Sequence, residues 1–106
     1  MALASVSLDD KYRLDHGRVF LTGVQALARL PMLQHGRDRA AGLNTAGYVS
    51  GYRGSPLGGL DQALHDARPF LEAHNIKFQP GVNEDLAATA IWGTQQLHLF
   101  PDPQVD

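Results

Sequence analysis

Three side chains carry the chemistry legible in this 106-residue chain: Arg53, Ser55 and Glu84. Arg53 and Ser55 sit in YVSGYRGSPLGGLDQAL, residues 48–64, where Gly51, Gly54, Pro56, Gly58 and Gly59 leave the backbone bare. Glu84 sits in GVNEDLAATA, residues 81–90. A guanidinium fork clamps a carboxylate or phosphate in two-point fashion. A hydroxyl both donates and accepts, and a carboxylate takes and returns a proton. Glycines let the backbone approach a ligand closely, and amides at a following helix start meet an anion. Each feature also has a plain reading. The loop is then a tight turn, Arg53 a surface charge, and Glu84 a first-turn carboxylate answering the helix dipole.

The familiar phosphate and nucleophile motifs are absent. The spacing of glycines 51, 54, 58 and 59 does not fit G-x-G-x-x-G, and no lysine in the loop completes G-x-x-x-x-G-K-[ST]. Ser55 is not in a nucleophile elbow, because Arg53 stands where that turn needs glycine. His16, His35, His65, His74 and His98 include no pair with helical metal-site spacing and no H-E-x-x-H. Trp92, at helical spacing, reads as core.

The elements that position these residues follow from periodicity. Residues 1–17 are polar and mixed, a lead-in arm with little structure of its own. RVFLTG (18–23) is strand-like. The next segment is helical: Val24, Leu27, Ala28 and Leu30 recur at helical spacing, Met32 and Leu33 extend the stripe, and Thr22 caps it. Pro31 is expected to kink or divide this helix, and Gly42 to stop it. TAGYVSGY (45–52) reads as a buried strand running into the glycines. The helix after it places Leu60, Ala63, Leu64 and Ala67 on one side, and Pro69 starts a second, short piece. IKFQPG (76–81) is a strand closed by Pro-Gly. The last helix starts at Asn83 as cap, with Glu84 and Asp85 in its first turn and Leu86, Ala90, Trp92 or Gly93, and Leu97 on its packing face. Strand alternating with helix predicts an α/β fold, a partial parallel sheet with flanking helices over residues 18–106. In such sheets ligands bind at the carboxyl ends of the strands, which is where the glycine loop and Glu84 fall. Three short strands make a thin, two-edged sheet, and the chain is expected to be the N-terminal piece of a longer one.

Bulk properties narrow the class. A formal net charge of -2 gives no indication of a nucleic-acid binder with a basic face. Lys11, Arg13, Arg18, Arg29, Arg37 and Arg39 crowd the first part, either as solvated helix faces or as a partner contact. With no cysteine, disulfides, thiolate metal sites and iron–sulfur ligation within the segment are excluded. The start has no signal-peptide pattern, and no apolar run reaches the roughly 20 residues of a membrane helix. A cytoplasmic setting with no membrane partner is expected.

The phrases LDDKYRLDHGRVFLTGVQALARLPMLQ, RDRAAGLNTAGYVSGYRGSPLGGLDQAL and HNIKFQPGVNEDLAATAIWGTQQ resemble the N-terminal segment of bacterial indolepyruvate ferredoxin oxidoreductases, in the fused single-chain form. The resemblance runs from about Leu8 to the end, and GLNTAGYVSGYRGSPLGG with QPGVNEDLAATA is its most specific part. It implies the start of a thiamine-diphosphate Pyr-type fold, the domain that holds the aminopyrimidine ring. It further implies oxidative decarboxylation of a 2-oxoacid to an acyl-CoA, with electrons passed through [4Fe-4S] clusters to ferredoxin. Partners would be the 2-oxoacid, coenzyme A, ferredoxin, the remaining domains of the same chain and further copies in a homo-oligomer. Related enzymes carry a Pro-x-Thr-Pro turn where this chain has Arg53, Gly54, Ser55 and Pro56. The hydroxyl and second proline are kept, and Arg53 replaces the first proline. The resemblance assigns Gly54, Ser55 and Pro56 to the cofactor, Arg53 and Ser55 to the substrate, and to Glu84 the carboxylate that hydrogen-bonds a pyrimidine ring nitrogen. The G-D-G type motif for diphosphate and Mg2+ is absent, as are cluster cysteines. The segment alone is expected to be inactive, one wall of a site completed elsewhere. Two other classes stay open on the residues: a small α/β anion- or nucleotide-binding module, and a non-catalytic subunit-contact domain using the basic first helix.

Overall fold

Two three-residue strands, β1 (Gly47–Val49) and β2 (Ile76–Phe78), pair in parallel with Gly47 opposite Ile76, Tyr48 opposite Lys77 and Val49 opposite Phe78. A parallel pair cannot be closed by a hairpin, so the chain between them must cross over. It does so as two helices, α3 (Gly58–Asp66) and α4 (Arg68–Ala73). The computed structural model describes residues 5–106 and adds three further helices: α1 (Asp10–Arg13), α2 (Gly23–Ala40) and α5 (Glu84–Thr94), followed by a 3₁₀ turn at Leu97–Leu99. The result is a small mixed helix and strand fold with a two-stranded parallel sheet and flanking helices, compatible with the α/β class. No helix among the described residues is long and apolar enough to cross a membrane.

The crossover forms the centre of the core. Ala63, Leu64, Ala67 and Leu71 are buried against Ile76 and Phe78 of β2, and Ala28 and Met32 of α2 close the other side. The predicted Leu60–Ala63–Leu64–Ala67 face is therefore the packing face, with Leu60 partly buried. Pro69 falls in the first turn of α4, where its missing N–H costs nothing.

Helix α2 runs as one helix through Pro31, so of the expected kink or division the division does not occur. Both its ends are closed tightly. Thr22 Oγ1 accepts the Gln25 amide at 3.2 Å and the Gln25 side chain accepts the Thr22 amide at 3.0 Å, a reciprocal capping box. At the other end the Leu43 amide reaches the Asp38 carbonyl and the Gly42 amide the Arg39 carbonyl, with Gly42 at φ +82°. That is a Schellman closure, which favours glycine because the left-handed backbone crowds a Cβ.

The expected strand at 18–23 does not form. Thr22 is committed to the cap and Gly23 to the helix, leaving a short extended stretch in which Phe20 is 95% exposed. Without a third strand, Leu27 and Leu30 are not core. They line an open apolar groove with Pro31, Val49, Leu60 and Leu64. The buried stripe of α2 is Ala28 and Met32, with Val24 partly buried, while Leu27, Leu30 and Leu33 stay exposed.

The lead-in arm is more ordered than its composition suggests. Tyr12 of α1 is buried and its ring lies 5.4 Å from that of Phe70. Arg29 donates to the carbonyls of Lys11 and Leu14, the latter at 2.6 Å. One of the basic residues of the first part is thus spent inside the chain, holding the arm to α2. Burial, reinforced by the negative charge of Asp66, pushes the Tyr12 phenol above its ordinary value.

Two outcomes follow. Leu71→Ala, at a side chain only 1% exposed, is expected to cost about 3 kcal/mol by denaturant unfolding. Asp38 accepts Thr45 Oγ1 at 2.7 Å and Gln34 Nε2 at 2.8 Å, and these hydrogen bonds hold its carboxyl below the usual range. A depressed folded-state value stabilises above the unfolded value and is lost on acidification. The thermal midpoint of the parent should exceed that of Asp38→Asn at neutral pH, and the gap should close as pH falls below about 4.

Candidate functional site

Both strands point their carboxyl ends the same way, and the segments that leave them meet there. The Gln79 amide donates to the Val49 carbonyl at 2.9 Å, and the Gly81 amide to the Gly51 carbonyl at 2.7 Å. The second bond fastens the start of the glycine loop to the turn that feeds α5. Two further turns shape the loop: the Ser55 amide reaches the Tyr52 carbonyl at 3.1 Å, and the Gly58 amide reaches the Ser55 carbonyl at 3.0 Å.

Beneath this loop lies a cavity of about 190 Å³. Its apolar wall includes Val49, Leu60, Leu64 and Phe78, and its polar groups include Ser55 and Asp61. A larger hollow of about 510 Å³ follows Arg68, Glu72 and Asn75 along β2. The smaller cavity is the better candidate, because it sits at the carboxyl ends of the parallel strands, where open sheets bind ligands.

The residues singled out from the sequence are distributed unevenly around it. Ser55 lines the cavity. Its Oγ accepts the Leu57 amide at 3.3 Å, and its own hydroxyl hydrogen has no acceptor among the described residues. At Gly54 a Cβ would fall 2.6 Å from the outer end of the exposed Tyr52 ring, so the bare backbone lets Tyr52 lie where it does, and a side chain there would displace it. Pro56 is exposed on the loop and is not part of the cavity lining.

Arg53 is 73% exposed at its side chain and turns toward the buried carboxylate of Asp61, with Nε 3.4 Å from Oδ2. It is thus neither a lone surface charge nor a fully free clamp. Its Nε edge is engaged, and the outer edge of the fork remains. His65, one helical turn beyond Asp61, brings Nε2 to 3.6 Å from the same oxygen. The His65 ring stands edge-on to Phe78 at 5.0 Å between centroids.

Glu84 occupies the first turn of α5, as expected, behind Asn83. The Asn83 side chain accepts the Leu86 amide at 2.8 Å, confirming the predicted cap. Glu84 is exposed and is not part of the cavity lining. The chain brings it to the same edge of the sheet through the Gly81–Gly51 bond, while its carboxylate remains open to solvent.

The packing face predicted for α5 is corrected by the structure. Ala87 is its one buried residue among those described, whereas Leu86 is 54% and Trp92 66% exposed. Helix α5 lies beside β1, with Ile91 and Thr94 sharing a hollow with Gly47 and Tyr48, while Leu86 and Trp92 stay in solvent.

Asp61 is the residue that sequence reading missed. It is 8% exposed, and its Oδ2 has no hydrogen-bond partner. The signal available was an aspartate four residues before a histidine in the helix that follows the glycine loop.

Among the described residues no group of three or more His, Asp or Glu side chains is placed to hold a metal ion. At this edge the described residues offer a hydroxyl on the cavity, at Ser55, and a solvent-open carboxylate in a capped first turn, at Glu84. Comparison with family models, with curated proteins and with solved structures gave no match.

Asn83→Ala should cost about 1 kcal/mol in denaturant unfolding through loss of the cap, and Asn83→Ser should restore most of it. A change of similar size in both variants would show that the cap does not fix the start of α5.

Proposed function

We propose that this chain forms the pyrimidine-side wall of a thiamine-diphosphate site in an indolepyruvate-type 2-oxoacid:ferredoxin oxidoreductase of the cytoplasm. The observation that carries the reading is the joint placement of the glycine loop and the Glu84 turn at one carboxyl edge of a parallel strand pair, tied by the Gly81–Gly51 hydrogen bond. It joins the resemblance of the loop and Glu84 phrases to that enzyme family. On this reading the two-stranded sheet is the beginning of a Pyr-type fold, extended by the remaining domains of a longer chain.

Thiamine diphosphate supplies the electron sink for decarboxylation when bound. The chain's own part is to hold and move a proton and to orient the substrate. Glu84, solvent-open in a first turn, is available to a ring nitrogen as both acceptor and donor. Ser55 turns its unused hydroxyl hydrogen to the 2-oxoacid, and the outer edge of Arg53 meets the substrate carboxylate. Acyl transfer to coenzyme A, the electron path through iron–sulfur clusters to ferredoxin, and the Mg2+–diphosphate contacts belong to other segments. Exposed Leu86 and Trp92 on α5 favour contact with those segments or with another copy.

A phosphate-binding module is the weaker reading. The buried Asp61 carboxylate offsets the charge of Arg53, and a bare anion cradle has no need of it.

In the complete chain, Glu84→Gln should lower kcat for 2-oxoacid decarboxylation by about 10²- to 10⁴-fold, with an unchanged circular dichroism spectrum. Turnover near the parent level would overturn the assignment.

A further inference from the structure

Arg53 and Asp61 form a charge pair of uneven halves. Asp61 is 8% exposed, whereas the Arg53 side chain is 73% exposed. Arg53 Nε stands 3.4 Å from Asp61 Oδ2, and that oxygen has no hydrogen-bond partner. The two groups therefore meet as charges, without a bond that locks them. Backbone and side chain of Arg53 both lean on α3: a Cβ at Gly58, its first residue, would fall 3.0 Å from the Arg53 carbonyl oxygen. His65, one turn beyond Asp61, brings Nε2 to 3.6 Å from the same carboxylate oxygen.

Arg53 and Asp61 together carry no net charge. Such a pair offers an incoming anion the direction of the free guanidinium N–H groups more than the pull of a bare cation. The difference matters for a 2-oxoacid. In decarboxylation the bond between the carboxylate carbon and the 2-oxo carbon breaks. Its electron pair stays on the 2-oxo carbon and passes to the electron sink that the cofactor supplies, and carbon dioxide leaves uncharged. The charge held on the carboxylate at the start is gone from it at the end. A strong cation there stabilises the starting state more than the transition state, and binding of that kind does not raise the rate.

Given the proposed contact between Arg53 and a 2-oxoacid, on which this rests, we infer that Asp61 is a positioning residue that tempers Arg53. The guanidinium then meets the substrate carboxylate as a directional partner without holding its charge in place. Asp61 needs to touch neither substrate nor cofactor. Its burial serves the role, because a buried charge stays in place and is screened little by salt.

The test compares the complete parent chain with Asp61→Asn and Arg53→Gln. Binding of phenylpyruvate to the cofactor-free chain is read by calorimetry, where no turnover intrudes. Asp61→Asn should bind it about three- to tenfold tighter, since the counter-charge is gone. Arg53→Gln, at an exposed side chain, should weaken it about tenfold or more through loss of a charged donor. In the parent, affinity should change less than about twofold between about 50 and 500 mM salt, while in Asp61→Asn it should fall steeply. The parent's salt response needs no change at Asp61, so it decides even if that variant folds poorly. With cofactor present, Asp61→Asn should lower KM and kcat together, a split that damage to packing does not produce. Weaker or unchanged binding in folded Asp61→Asn, parent-level binding in Arg53→Gln, or a steep salt response in the parent would each overturn the inference. Parent-level turnover in Glu84→Gln, with the binding results as expected, counts against the proposed function and leaves a tempered carboxylate site at Arg53 and Asp61 standing.

Discussion

Everything else in this structure depends on the parallel pairing of β1 with β2. Strands of three residues cannot hold together through their ladder alone, and a parallel ladder is the slightly weaker kind per residue. The pairing persists because the crossover it demands, α3 and α4, supplies the apolar mass that buries β2. Ala67 and Leu71 sit at the centre of that crossover with 0% and 1% exposure. The same topological demand sends the ends of both strands to one edge, so a loop and a helix start meet there without any further device. Site and core are two consequences of one constraint.

The glycine loop is better understood as a shaped cover than as a bare cradle. Its turns are closed by its own amides, Gly54 makes room for Tyr52, and Ser55 braces Leu57 while keeping one hydrogen unused. What lies beneath is small and mostly apolar, with a single buried acid. Arg53 answers that acid from outside, at a distance that attracts without fixing. An exposed guanidinium held loosely in this way keeps its freedom to move, which a buried and fully bonded pair would lose.

Local signals in the sequence translated directly into structure. The Thr22–Gln25 box, the Gly42 stop, Pro69 at a helix start and the Asn83 cap are each written within a few residues, and each appears where the residues place it. Features that depend on a distant partner were not legible. Residues 18–23 have strand-like side chains, but a strand exists only beside another, and none lies alongside. The leucines of α2 and the apolar residues of α5 read as core because hydropathy does not say what covers a face. Asp61 is hidden for the same reason: an aspartate in a helix after a loop is ordinarily solvated, and only the folded chain shows it 8% exposed beside Arg53 and His65. The placement of the loop and of the helix start at Glu84 on one strand edge is legible in the local pattern, while the buried acid and its loose cation are seen only in three dimensions.

We propose that the carboxyl edge of β1 and β2 is one wall of a thiamine site. The most direct measurement is an experimental structure of the complete chain with thiamine diphosphate bound. The aminopyrimidine ring should lie beside the loop of residues 51–58, with the Glu84 carboxylate within hydrogen-bond reach of a ring nitrogen. A cofactor bound away from this edge, with Glu84 still in solvent, would contradict it.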